Sequence, residues 1–142
     1  MRNGKNIILS GESIKNYIRR GPGSMALDLE TLPWLDPPYE IYEFQPCKPA
    51  TFKVTAYKIG KMTIVPRWPG APPQKTIIAI RLHVDPKTKQ AYPYYWDITP
   101  SRLVHQLATI LTQGIPEGMA LRIHRDIPGP RAHFSVEWIP AP

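Results

Sequence analysis

Arg81, His83, Tyr92, Tyr94 and Trp96 are the residues whose types and spacing point to a task. Arg81 and His83 alternate along the segment KTIIAIRLHV (75–84), and the three aromatics alternate along AYPYYWDI (91–98). With Asp85 to Gln90 as the connecting loop, Val84 lies opposite Ala91, His83 opposite Tyr92, Arg81 opposite Tyr94 and Ala79 opposite Trp96. The five side chains then share one sheet face, while Ile78, Ile80, Leu82 and Val84 with Pro93 and Tyr95 form the other. Aromatic rings beside cations are what single-stranded nucleic acid asks of a sheet surface, each stacked base being worth about 1–3 kcal/mol. Lys87 and Lys89 in the loop are expected to meet phosphate through contacts that weaken with salt, and Arg67 with Trp68 to flank the platform. The competing arrangement buries Tyr92, Tyr94 and Trp96 beneath an N-terminal helix or a strap, because Ile77, Ala79 and Ile98 lie on the same face and need cover. A one-residue slip would exchange the two faces.

Other chemistry is poorly supported. The chain has no Gly-rich phosphate loop, no Cys-x-x-Cys and no His-Glu-x-x-His. Cys47 is the only cysteine, so it makes no internal disulfide and no cysteine metal site. His124 and His133 would face each other in a C-terminal hairpin, but with only Asp126 nearby they fall short of the three or four ligands a zinc site uses. Asp85 before Pro86 reads as turn chemistry, and Asp97 as support for the start of the following helix. The sequence predicts no enzyme, no cofactor and no metal.

These residues need a scaffold. Thr51 to Lys58 alternates as a half-buried strand, Gly60-Lys61 reads as a turn, and Met62 to Val65 as a further strand. Pro66 to Pro73 is a loop, and Pro93 demotes its strand to an edge or a bulge. Thr99 with Pro100 at the first helical position starts a helix whose stripe is Leu103, Val104, Leu107, Ile110 and Leu111. With Asp126 to Arg131 as loop, a final hairpin sets Ile123 against Phe134, Leu121 against Val136 and Met119 against Trp138. The expected fold class is α+β: an antiparallel sheet of hairpins in the order β-β-β-β-α-β-β, one main helix over about 100–113 on one face, and a short N-terminal helix over about 11–20. The element order resembles the ββββα single-strand-binding cofactors.

The short helix would be capped by Ser10, stapled by Leu9 and Ile14, and stopped at Gly21. Gly-Pro-Gly-Ser before Met25 is either a flexible joint or a fusion remnant ahead of a second start. Ile8-Leu9-Ser10, Ile14-Lys15-Asn16-Tyr17-Ile18, Gly21-Pro22-Gly23-Ser24 and Asp28-Leu29 together resemble the opening of dCTP deaminases of the dUTPase-like fold. The likeness covers about twenty residues. That family's later Arg-Ser-Ser segment has no counterpart, so no active site follows from it.

Charge divides the 142 residues into three segments. Residues 1–24, a helical extension, set Arg2, Lys5, Lys15, Arg19 and Arg20 against Glu12. Residues 25–50 form a Pro-rich strap carrying Asp28, Glu30, Asp36, Glu40 and Glu43, with Lys48 its only base. Residues 51–142 form a basic domain, and the whole carries +7. A basic body suggests an anionic partner, although a small soluble domain tolerates such a charge. The 18 prolines stiffen loops and suggest a thermophilic source ahead of docking connectors. No apolar run is long enough to span a membrane, and a cytoplasmic location is expected. The sequence thus favours a non-enzymatic protein that binds single-stranded nucleic acid. The alternative is a protein-docking regulator, such as a phage or mobile-element protein acting on a host enzyme, using Trp34, Tyr39 and Phe44 of the acidic strap.

Overall fold

The computed structural model describes residues 29–129 and 131–142. The helix expected over 11–20 and the extension 1–24 lie outside them. The elements are β1 (Ala50–Phe52), β2 (Val54–Ile64), β3 (Lys75–Val84), β4 (Tyr95–Ile98), α1 (Ser101–Leu111), β5 (Met119–Arg125) and β6 (Phe134–Pro140). The order β-β-β-β-α-β-β is the expected one. The strands form two antiparallel three-stranded sheets, β1-β5-β6 and β2-β3-β4.

Gly60-Lys61 is not a turn. β2 runs straight through it and pairs with β3 from Val54 to Ile64. The break falls earlier, at Lys53, and the register shifts between Val54 and Ala56. Such a bulge bends a strand, so one stretch of chain serves two sheets. Its first part pairs with β5 (Ala50 with Ile123) and its second with β3 (Ile59 with Ile80).

The two sheets and α1 enclose one core. Leu103, Val104, Leu107, Ala108 and Leu111 are buried along one face of α1. They meet Phe52, Ile59, Ile80, Leu82, Leu121 and Ile123 in a single apolar cluster. The start of α1 differs from expectation: Pro100 takes the N-cap position and among the described residues no side chain caps the helix, so the Thr99 hydroxyl is not the cap.

The segment before β1 wraps the second sheet. On the free edge of β2, Lys61 N–H donates to Pro33 O at 2.8 Å and Leu35 N–H donates to Lys61 O at 3.0 Å. The chain then crosses the outer sheet face, where Leu35 packs on Met62 and Ala79 with Tyr39 beside them. It next reaches the outer edge of β4, where Asp97 N–H donates to Glu40 O at 2.8 Å and Tyr42 N–H donates to Asp97 O at 3.0 Å. Tyr42 and Phe44 finally turn into the main core, edge-to-face with Phe52, Trp96 and Phe134. Gly60 permits the crossing, because a Cβ there would stand 2.5 Å from Pro33 O.

Beneath the strap lies a buried ion pair. Arg81 Nε donates to Asp97 Oδ1 at 2.7 Å and Nη2 to Asp97 Oδ2 at 3.0 Å. Glu40 N–H donates a third bond to Asp97 Oδ2. The guanidinium lies 3.9 Å from the Tyr95 ring centroid, and both Arg81 and the Tyr95 hydroxyl donate to Pro38 O. Removing one partner of a buried pair strands the other charge, which costs roughly 3–5 kcal/mol. Asp97→Ala should therefore lower stability by about that amount in urea unfolding. The double change Arg81→Met with Asp97→Leu should lose far less, and equal losses in the single and double variants would refute the charge-stranding account.

Candidate nucleic-acid interface

The β3–β4 pairing sets Arg81 opposite Asp97, Leu82 opposite Trp96 and His83 opposite Tyr95. The loop is therefore 85–94, longer than the six residues expected. Two features explain the length. Asp85 closes a turn through its carboxylate and carbonyl, both accepting from Thr88 N–H. Pro93 has no N–H to give a ladder, so pairing starts beyond it, with the Val84 N–H bond to Tyr94 O at its margin. The slip is three residues, an odd number, so β4 presents the opposite side chains from those expected.

The expected platform is consequently not assembled. Arg81, expected to contact nucleic acid, is 3% exposed and engaged by Asp97. Burial works to lower its pKa, but the bonds to Asp97 outweigh that and raise it, so the charge is fixed. Trp96 turns to the opposite face and packs half-buried against the core, with Lys89 Nζ 4.1 Å from its ring centroid. Lys89 does not project toward phosphate: its ammonium donates to Glu40 Oε1 at 3.1 Å and to Tyr95 O. His83 is half-buried beside Tyr95, and among the described residues its buried Nε2 has no hydrogen-bond partner. The strap residues divide as well: Phe44 is core, Tyr39 is half-buried with its hydroxyl donating to Leu35 O, and Trp34 alone stands half-exposed. Phe44 fails as a docking residue because it completes the aromatic cluster with Tyr42, Phe52 and Phe134.

The remaining expected residues fall into two exposed groups. Tyr92 and Tyr94 rise from the 85–94 loop, 81% and 40% exposed, with ring centroids 5.9 Å apart and planes nearly perpendicular. Lys87 is exposed in the same loop. Arg67 and Trp68 sit at the far end of β3, in the loop joining it to β2, with Val65 exposed at its start. There Lys75 Nζ stands 5.4 Å from the Trp68 ring centroid, and Lys61 Nζ 4.7 Å from that of Trp34. Ten residues of β3 hold the two groups about 33 Å apart.

Lys61 and Lys75 were not singled out by sequence. Lys75 was legible in principle, as a strand-opening cation after a loop holding Trp68. The Lys61–Trp34 contact depends on the strap meeting β2, which no local pattern announces.

The C-terminal hairpin is also wider than expected. Ile123 pairs with Val136, Leu121 with Trp138 and His124 with Ser135, a slip of two that keeps the faces but separates the histidines. Asp126 sets the width. Its Oδ1 accepts from Ile127 N–H at 2.6 Å and His133 N–H at 2.7 Å, and Oδ2 lies 3.3 Å from His133 Nδ1. The His133 backbone bond is the main cause holding the Asp126 carboxyl below its usual range. Among the described residues no group of three or more His, Cys, Asp or Glu is placed to hold a metal. Comparison of the chain with protein-family models, curated proteins and solved structures gives no match.

Burial, then the nearby charges of Lys58 and Arg81, push the His83 pKa below 6.5. The unfolded chain thus takes up a proton that folded His83 refuses, and stability falls on acidification through a window opening near pH 6.5. Urea midpoints at about pH 7.5 and about pH 5.5 should show a drop at the lower value that His83→Leu reduces. An undiminished drop in the variant would assign the effect elsewhere.

Proposed function

We propose that the protein binds single-stranded nucleic acid through exposed aromatic rings beside cations at the two ends of β3. The observation that carries this reading is the pair of half-exposed tryptophans, Trp34 and Trp68, each with a lysine ammonium at its ring, beside a hairpin free of acidic residues. From Phe44 to Val84 the sequence holds Lys48, Lys53, Lys58, Lys61, Arg67, Lys75 and Arg81 and no Asp or Glu. Rings of this kind stack bases without regard to sequence, and the cations replace counterions on phosphate. Arg81, Trp96 and Lys89 take no part. Tyr92, Tyr94 and Lys87 supply the second contact region.

Connectivity adds support. A long strand bent at Lys53 pairs with β3 and β5, and a helix precedes the last hairpin. This resembles the five-stranded, partly open OB-type barrel, whose second and third strands and hairpin loops bind oligonucleotides or oligosaccharides. It is an analogy of architecture only. Here the strap covers the outer face of the corresponding strands, β3 and β4, which leaves the loops. Protein docking is less favoured, because of its three expected residues only Trp34 stands half-exposed.

Fluorescence anisotropy of a labelled single-stranded oligonucleotide tests the reading. Binding should weaken steeply with salt, and Trp68→Ala or Tyr92→Ala should each weaken it by about 5- to 150-fold, the range expected for one stacked base. Absence of binding at low salt, or affinity unchanged in both variants, would overturn it.

A further inference from the structure

A cleft of about 360 Å³ opens where the bend at Lys53 meets the 85–94 loop. Thr51, Lys53, Asp85, Lys87 and Thr88 line it, and Ala120 with the segment Ala141–Pro142 closes the side. Its walls are held by the fold. Lys53 N–H donates to Thr88 Oγ1 at 3.0 Å, Asp85 N–H donates to Lys53 O at 3.1 Å, and Ala141 N–H donates to Gly118 O at 3.0 Å. The volume is within the range of small-molecule sites.

The chemistry of the lining is that of an anion site. Among the described residues neither the Lys53 nor the Lys87 ammonium has a carboxylate within ion-pair distance. The Asp85 carboxylate also lines the cleft, but its Oδ1 is turned onto Thr88 N–H at 2.9 Å. Thr88 Oγ1 accepts from the backbone and so keeps its own O–H to donate. Two lysines and two threonines thus line a space larger than an isolated oxyanion needs, with Asp85 as an acceptor beside them.

We propose that this cleft binds a phosphate monoester together with the first sugar unit attached to it. The cations and hydroxyls take the phosphate oxygens, and Asp85 accepts from a sugar hydroxyl. The ligand is either a free nucleoside monophosphate or the phosphorylated end of a strand. The first source is independent of nucleic-acid binding; the second deepens that reading.

Isothermal titration of the protein with AMP, adenosine and inorganic phosphate tests the site, followed by competition with oligonucleotides bearing a 5′-phosphate or a 5′-hydroxyl. AMP should bind more tightly than phosphate, and adenosine should not bind. Lys53→Gln and Lys87→Gln should each weaken AMP by about tenfold or more, the usual loss for a charge-assisted hydrogen bond. Displacement of AMP by the 5′-phosphorylated strand alone would identify the strand end as the ligand, whereas no displacement by either strand would identify the free nucleotide. No AMP binding at millimolar concentration, or an AMP affinity in both lysine variants undiminished from that of the unmutated protein, would overturn the site whether or not the protein binds oligonucleotides elsewhere.

Discussion

The bidentate pair between Arg81 and Asp97 is the interaction on which the second sheet is arranged. A guanidinium in an apolar layer must find a carboxylate of matching geometry. Asp97 is the residue of β4 that supplies it, and its choice as partner for Arg81 agrees with the whole β3–β4 register. The same carboxylate accepts from Glu40 N–H, and the same guanidinium donates to Pro38 O, so the pair also locates the strap. Register, strap position and the burial of Tyr95 are therefore one solution to a single charge-burial problem.

That solution explains what a linear reading recovers. The alternation of Ile78, Ile80, Leu82 and Val84 correctly divides the faces of β3, and the apolar stripe of α1 is where its spacing puts it. Both are local periodicities. The partner strand is governed instead by loop length, which depended on the Asp85 turn and on Pro93, and by a salt bridge spanning sixteen residues. Periodicity carries no information about that span. The Asp126 bonds that widen the last loop are hidden in the same way, since a bond from a carboxylate to a backbone N–H seven residues away leaves no pattern in side-chain types.

The candidate surface divides along the same line. Arg67 and Trp68 were legible because they sit in a loop whose prolines keep it out of the core, whereas Tyr92 and Tyr94 are exposed from a loop and not from the strand face on which alternation placed them. Arg81 was misread because its exposure depends on what covers a sheet face, and the covering segment comes 43 residues earlier in the chain. Trp96 was misread because the register slip turns it to the core face. Lys53 was overlooked for a related reason: as one charged position in an alternating strand it looked solvated, and only the bend makes it part of a cleft wall.

The strap has one more consequence, for self-association. A strand edge with free N–H and C=O groups is a template for pairing with another chain. The outer edges of β2 and β4 are capped by backbone bonds from Pro33, Leu35, Glu40 and Tyr42, each over a short stretch. β6 is the outer strand of the other sheet, and it carries exposed Ser135 and Glu137 and ends in Pro140. The segment that hides a sheet face thus also keeps the second sheet from growing by addition of copies, leaving polarity and a proline to guard the first.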